Sequence, residues 1–503
     1  MGRGRCSMHI AIVGGGVGGM TAALLLRRRG MRVTLYERQP RLGGRLAYET
    51  GGGYRIDQGP TIVLLPEMLL GILEEAGIPR SRVPLVPCDP MYRIHYADGT
   101  VLHKWRDPDR QAAELERLSP GEGAGFLRYI RDMERGYREG KAAFLDRPFL
   151  RRRDFYTAGN LALLTRLKAY KSVRGLAADY FRDERLRDAY SLQTLYIGGA
   201  PFQSPGLYTL LPYAEHAYGV WYLKGGYAAL VPILERELRE QGVEVRLDAP
   251  VEQLWIEEER AAGVYCGGER VRYDGVVYNG DYPGIGALLG DAGGAGQRRR
   301  YTPSSGCVLI YLGLDRQWPK AAAHQFFLPR SLTAGLRRIF GEGQLPDDPS
   351  FYAFYPGALD SDAAPPGGSV LYLLVPAPPA GRLDWSAVTP PLVRHVLAEA
   401  ERRGFPGLRQ AIRWQSVRTP ADAAAEGLYQ GGSFGIAPTL TQSAVFRPQI
   451  ASSAVKGLYA VGASVHPGGG VPIVMQGARL LADHLTKGMN IWNWPPHSQA
   501  ANR

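Results

Sequence analysis

Three glycines spaced as Gly14-x-Gly16-x-x-Gly19, a glutamate at position 37 and the pair Gly43-Gly44 before Arg45 are the residues of this 503-residue chain best suited to holding phosphate and ribose. Small residues belong where a backbone must approach an anion, because a side chain would hold the phosphate away from the N–H groups. Gly14 allows a tight turn, Gly16 lets the backbone approach a pyrophosphate, and Gly19 lets a helix pack closely on a strand. Glu37 follows about 20 residues later, the distance at which an acid hydrogen-bonds a ribose diol. Arg41-Leu42-Gly43-Gly44-Arg45 then offers a second close approach to phosphate, which NAD does not need, so the pattern points to FAD. Asp57-Gln58-Gly59-Pro60-Thr61 is a third polar element, readable alone as an ordinary turn.

The elements that must position these residues read directly from the pattern. His9 to Val13 is an apolar run suited to a buried strand, and it enters the glycines with a helix expected from Met20 to Arg29. A second strand, Arg32 to Tyr36, delivers Glu37, and a short one, Tyr54 to Ile56, delivers Asp57. Beyond Thr61 the spacing predicts a helix over 66–76 and a hairpin over 91–105 turning at Asp98-Gly99. Ser119-Pro120-Gly121-Glu122 reads as a capping box opening a helix that carries Phe126, Ile130, Met133 and Tyr137. A helical stretch over 160–181 mixes leucines with Lys168, Lys171 and Arg174 without segregating the cations to one side, and it is a candidate for a membrane surface or for an ordinary solvated face. Strands return over 243–281, 307–314 and 370–376. Leu458 to Ala463 is a last strand that leads through His466-Pro467-Gly468-Gly469-Gly470-Val471-Pro472 into a helix expected over 474–485. That helix N-terminus is placed to stabilise negative charge on a reduced flavin ring.

The charge is +12, carried in short scattered arginine runs such as Arg151 to Arg153 and Arg298 to Arg300. Such a balance suits an acidic membrane face, and no nucleic-acid-binding signature accompanies it. Cys6, Cys88, Cys266 and Cys307 lack disulfide-framework density and CxxC spacing, which suits a reducing cytoplasm and no structural metal. No run of about 20 apolar residues spans a bilayer.

Together the N-terminal glycine motif, Gly43-Gly44-Arg45, Asp57-Gln58-Gly59-Pro60-Thr61 and the segment from Gly462 to Pro472 resemble the bacterial carotenoid desaturases, within the amine-oxidase-like flavoproteins. Leu192 to Gly198, Gly219-Val220-Trp221, Lys224-Gly225-Gly226, Asp348-Pro349-Ser350 and Arg447-Pro448 are similar to further family segments. The resemblance spans roughly 8–487. It implies an α/β fold with a Rossmann-like FAD domain built from 8–62, 240–305 and 450–487. A mixed-sheet substrate domain would come from 63–110 and 306–449, a helical membrane-facing part from 111–239, and a tail from 488–503. It also implies noncovalent FAD held by Gly14, Gly16, Gly19, Glu37, Gly43, Gly44, Arg45, Asp57, Gly59, Pro60, Thr61, Gly462, Val471 and Pro472, with Val251 at the adenosine.

The chemistry so implied is removal of two hydrogens from an unactivated CH₂–CH₂ of a long C30 or C40 polyene, phytoene or dehydrosqualene. Such a site needs apolar walls and a base. Glu215, His216 and His466 are the nominated bases, Glu215 because an acid often stands there in the family. Tyr196, Tyr208, Tyr213, Tyr218, Trp221 and Tyr222 are candidates for a tunnel lining or for plain core. Two alternatives remain: an oxygenase that shares these motifs and acts on terminal methyl groups of a C30 carotenoid, and a prenyl-protein escort that uses the same fold without flavin chemistry, against which the intact glycine motif, Glu37 and the C-terminal segment argue. A covalent-flavin amine oxidase is disfavoured, because no cysteine follows Cys307.

Overall fold

The computed structural model describes residues 8–290 and 299–487; Cys6, Arg298 and the stretch read as a tail lie outside the described residues. A five-stranded parallel sheet orders Leu458–Ala460, Gly275–Tyr278, His9–Val13, Arg32–Tyr36 and Glu244–Arg246. Three distant parts of the chain therefore build one sheet, as the segmented reading requires. The helices Val17–Arg28 and Val471–Thr486 cover it and pack on each other. Both begin three residues before their expected starts, which brings their first turns up to the glycines.

The helices Pro66–Glu75 and Leu230–Glu240 lie in segments expected outside the FAD domain. They instead bury Leu69, Ile72, Leu73, Leu230, Leu234 and Leu238 in the core of this sheet. Their apolar stripes have that core as their partner.

A second, seven-stranded sheet orders Ile412–Arg418, Gly306–Leu314, Ser369–Ala377, Phe351–Phe354, His324–Phe327, Tyr92–His95 and Val101–Lys104. It is antiparallel except where His324–Phe327 meets Tyr92–His95. Every residue of Gly306–Leu314 is buried, and the period of two shows why. Val308, Ile310 and Leu312 join a core closed by the helix Trp385–Arg403, whereas Cys307, Leu309 and Tyr311 face the opposite core. That opposite core includes Phe126, Tyr129, Met133 and Tyr190 from the helical part.

Two expected local features differ. Ser119 is the extended C-cap that ends the helix Pro108–Leu118, and the next helix, Glu122–Gly140, opens on Gly121 in the left-handed region, with no side-chain cap. The Glu122 carboxylate accepts the N–H groups of Arg182 and Asp183 instead of completing a capping box. The basic stretch 160–181 is broken, with helices Ala158–Arg166 and Val173–Ala177 separated by a turn in which Lys168 has φ +50°. Its cations pair with the protein: Lys168 and Lys171 with Asp179, and Arg174 with Asp188 and Glu184.

Candidate functional site

A cavity of about 980 Å³ opens where the N-termini of Val17–Arg28 and Val471–Thr486 converge at the C-terminal edge of the parallel sheet. Neither helix has a side-chain cap: their caps are Gly16 and Gly470, so the first N–H groups of both are free for an anion. Gly14, with φ +109°, makes the strand-to-helix turn, and Gly43, with φ +107°, brings the second glycine pair alongside. The Gly43 N–H donates to the Gly15 carbonyl at 2.9 Å. A Cβ on Gly43 would lie 2.4 Å from the Leu46 carbonyl oxygen, and one on Gly44 would lie 3.3 Å from Gly16 Cα. The cradle is therefore closed to side chains and open to a pyrophosphate, and it fits FAD. FAD is the cofactor of this fold.

Of the expected cofactor residues, Gly14, Gly16, Glu37, Gly43, Gly44, Arg45, Pro60, Thr61, Val251, Gly462, Val471 and Pro472 line this cavity. Glu37 also orders its own loop, since Oε2 accepts the Gly15 N–H at 2.7 Å and Oε1 the Gln39 N–H at 2.9 Å. Arg45 donates to the Ser433 carbonyl at 2.5 Å, so the arginine is anchored from the far side. Gly19, Asp57 and Gly59 stand behind the lining. A Cβ on Gly19 would be 2.1 Å from the Gly14 carbonyl oxygen, and one on Gly59 would be 2.5 Å from that of Arg45, so both serve close packing. The Asp57 carboxylate accepts the N–H groups of Tyr227 (3.2 Å) and Ala228 (2.9 Å), which tethers its loop to the Lys224-Gly225-Gly226 turn. Burial pushes its carboxyl up to about 7.

The cavity continues from Thr61 into an apolar chamber walled by Leu65, Leu195, Tyr196, Leu211, Phe326 and Tyr372. Of the aromatic cluster, Tyr196 and Tyr208 line it. Tyr213 and Tyr222 are core residues, and Tyr218 packs on Tyr137.

None of the nominated bases lines the chamber. Glu215 is fully buried behind it, accepting from Tyr92 Oη at 2.6 Å and Gln193 Nε2 at 3.1 Å. Burial raises its carboxyl, and the nearby Lys104 draws it back down. Lys104 lies in the same pocket, with its Nζ 3.5 Å from the centre of the Tyr190 ring, and burial lowers its ammonium to about 7. His216 stacks on Tyr190 and meets Phe126 edge-on, and burial holds it well below the ordinary imidazole range. The Nε2 of His466 bonds the Arg147 carbonyl at 3.0 Å, and burial lowers this imidazole to about 4. Each of the three therefore acts on protein neighbours.

Asn279, Gly280 and Asp281 do not stand out in the sequence, yet they follow the strand Gly275–Tyr278 directly into the cavity. Asn279 Nδ2 donates to the Gly14 carbonyl at 2.9 Å, and Asp281 accepts from Ser464 Oγ at 2.5 Å and from the Tyr429 N–H at 2.8 Å. A polar triplet at the carboxyl end of a buried parallel strand is the signal that marks them.

The profile of flavin containing amine oxidoreductases matches residues 17–486. A Metabacillus indicus protein named 4,4'-diapolycopen-4-al dehydrogenase is 50% identical over 485 residues, covering 95% of this chain and 98% of its own. The zeta-carotene-forming phytoene desaturase of Myxococcus xanthus is 36% identical, covering 95% of this chain and 93% of its own. The 4,4'-diapophytoene desaturase (4,4'-diaponeurosporene-forming) of Staphylococcus haemolyticus is 32% identical, covering 95% and 98%. Among solved structures, an oxidoreductase from Methanosarcina mazei superposes with a TM-score of 0.66 at 16% identity, covering 95% of this chain and all of that one. A putrescine oxidase variant gives 0.66 at 15% identity, covering 96% and 99%.

Proposed function

The chain belongs to the carotenoid desaturase group of the flavin-containing amine oxidoreductases, and on that premise we propose that it desaturates an acyclic C30 carotenoid. The observation that carries this reading is the continuity of the cavity: a dinucleotide cradle runs without a break into a chamber walled by leucine and aromatic side chains. Two of the relatives described above are named for diapo compounds, which favours C30 over C40.

When bound, FAD supplies a two-electron acceptor that takes a hydride from the substrate carbon. The protein's part is to bind and orient. The open N-termini at Gly16 and Gly470 would face the pyrophosphate and the flavin ring, Glu37 the ribose, Val251 the adenosine, and Gly43, Gly44 and Arg45 the second approach to phosphate. The chamber walls would hold the chain extended and exclude water from it.

A second reading is oxidation at the chain end. It is favoured by the 50% identical relative, whose name places its reaction at a terminal aldehyde. Expression beside dehydrosqualene, phytoene or a fully conjugated C30 aldehyde separates the two. Loss of two hydrogens per step from the colourless precursors supports desaturation. Gain of oxygen on the aldehyde, with the precursors untouched, selects the end-group reading.

We also propose peripheral attachment to a membrane. No helix among the described residues is long and apolar enough to cross one. The support lies in 127–170, where Leu127, Leu150, Tyr156, Leu161 and Tyr170 are exposed beside Arg151, Arg152 and Arg153. Beneath them Phe144, Phe149, Phe155, Leu163 and Leu167 form a small separate core, and Phe144 and Leu145 also line the cavity. A lipid-soluble substrate would reach the chamber through this segment without crossing water.

A further inference from the structure

Tyr352, on the strand Phe351–Phe354, lines the chamber, and its hydroxyl has a protein partner on each side. Oη lies 2.7 Å from Thr61 Oγ1 and 2.7 Å from His324 Nδ1. Thr61 ends the Asp57-Gln58-Gly59-Pro60-Thr61 turn and lines the same cavity, so this hydroxyl stands where the cradle meets the chamber. His324 is fully buried on the neighbouring strand. Its ring is stacked on Tyr352 (6.0 Å, 17°) and on Phe354 (5.2 Å, 14°), and its Nε2 has no hydrogen-bond partner among the described residues.

A phenol has one proton to give. Either Thr61 donates to Tyr352 and Tyr352 to His324, or the direction of both bonds is reversed. The two arrangements differ in the imidazole tautomer and in the rotation of the two hydroxyls, and in the first Nδ1 is the acceptor while the ring proton sits on Nε2.

We propose that Tyr352 takes the proton that the polyene loses and hands its own hydroxyl proton to His324, while Thr61 holds the phenol in place. The inference rests on the desaturation reading. Once hydride abstraction has left an allylic cation, the C–H bond on the adjacent carbon breaks and its electron pair becomes the second bond of the new alkene. The proton joins Tyr352 Oη as the phenol's own proton bonds to His324 Nδ1. Positive charge passes from carbon to imidazole, so the chamber's net charge does not change. That conservation matters in an apolar site, where creating a new charge is expensive. Burial lowers His324 to about 3, which keeps it unprotonated at rest, and an allylic cation is a far stronger acid than an imidazolium of that strength. The parallel face of Phe354 gives the transient imidazolium a cation–π partner. Tyr352 would be the catalytic residue and His324 the positioning residue behind it.

The test compares wild-type holoenzyme with Tyr352→Phe and His324→Phe, both of which keep the ring stack. Dehydrosqualene deuterated at the proton-losing carbon or at the hydride-losing carbon is the substrate. Tyr352→Phe should slow turnover about 100-fold, raise the isotope effect at the proton-losing carbon and lower it at the other. His324→Phe should move both isotope effects the same way with a smaller loss of rate. Binding of the fully conjugated C30 product, read from the shift of its visible absorption, should stay within about twofold in both. Tyr352→Phe within threefold of wild type and with unchanged isotope effects overturns the relay and leaves the desaturation reading standing, as does loss of product binding in both variants. If Tyr352→Phe does not fold, unchanged isotope effects in His324→Phe overturn the relay in the same way. Wild type that oxidises no polyene brings down the desaturation reading and the relay with it.

Discussion

Asp57 and Gly226 are locked together: a Cβ on Gly226 would lie 2.0 Å from Asp57 Oδ2. The glycine has φ +84°, and the carboxylate beside it accepts the next two N–H groups, those of Tyr227 and Ala228. Two motifs about 170 residues apart in sequence are thus one contact, and it fixes the loop that ends in Pro60 and Thr61. Gly226→Ala should therefore cost several kcal/mol, since it adds a clash to a left-handed backbone. Thermal unfolding of the variant should fall well below wild type, with FAD retention lowered as well; an unchanged Tm would mean that the loop moves freely.

Asp57 also sets a pH dependence. Its folded carboxyl titrates at about 7, against an ordinary value of 3.8, so between those values the folded protein keeps a proton that the unfolded chain has lost. Stability from this group is full below about 4, declines as pH rises, and levels off above about 7. Asp57→Asn holds no such proton and should flatten the slope of unfolding free energy over that window. Denaturant unfolding at pH 5, 6 and 7 measures it, and identical slopes in variant and wild type would place the titration elsewhere.

Glu37 has two tasks. Its oxygens accept the N–H groups of Gly15 and Gln39 while it faces the cavity. Glu37→Ala should weaken FAD binding by roughly 1–3 kcal/mol for a lost buried partner, and it should also loosen the glycine loop. Glu37→Gln keeps one acceptor and should lose less. Equilibrium release of FAD, followed by flavin fluorescence, ranks the three proteins.

What is legible in the sequence is local. The run from His9 to Glu37 carries its own periodicity, glycine turn and acid, so strand, helix and strand fall in place without tertiary information. The same is true of Gly462 to Pro472. Asp57 cannot be placed this way, because its partners at Tyr227 and Ala228 are remote in sequence and contribute backbone N–H groups, which have no residue type. Tyr352 and His324 are hidden for a related reason: strand pairing sets their contact, and each alone looks like core. Glu215 misleads because its polarity suggests reactivity, whereas its partners Tyr92 and Gln193 seal it behind the wall. Ser119 misleads because its spacing to Glu122 fits a cap, while Gly121 already turns the chain.

Lys104 is a fully buried cation whose Nζ has no hydrogen-bond partner among the described residues. Its folded value of about 7 lies below the ordinary 10.5, so between these the unfolded chain binds a proton that the folded one lacks. Stability therefore rises with pH across that window, and below about 7 the full cost of burying the charge is carried. Lys104→Met together with Glu215→Gln, which removes the carboxyl that Lys104 faces, should stabilise the protein by roughly 2–4 kcal/mol near pH 6 after the lost contact with Tyr190 is counted. The gain should shrink toward pH 10. Paired unfolding curves at the two pH values check it, and a gain that grows with pH would show the lysine charge to be favourable where it stands.

Membrane attachment should divide into two separable parts. Leu150, Tyr156 and Leu161 expose apolar surface, and Arg151, Arg152 and Arg153 expose positive charge in the same short segment. The cations of 166–174 are engaged with Glu139, Asp179, Glu184 and Asp188, so the arginine run is the better source of the electrostatic part. Salt screens that part, with a Debye length of about 10 Å at 0.1 M falling to about 3 Å at 1 M, and leaves the apolar part standing. In flotation with vesicles containing phosphatidylserine, Arg151→Ser, Arg152→Ser and Arg153→Ser together should lower binding at low salt and leave the residual binding at 1 M salt unchanged. Leu150→Ser, Tyr156→Ser and Leu161→Ser together should remove that residual binding. Leu150 and Leu161 are exposed, and Tyr156 is half exposed with its ring edge-to-face with Phe155, so the variant should keep its FAD and lose little of its unfolding temperature. If both triple variants float like wild type, this segment is not the lipid-facing one.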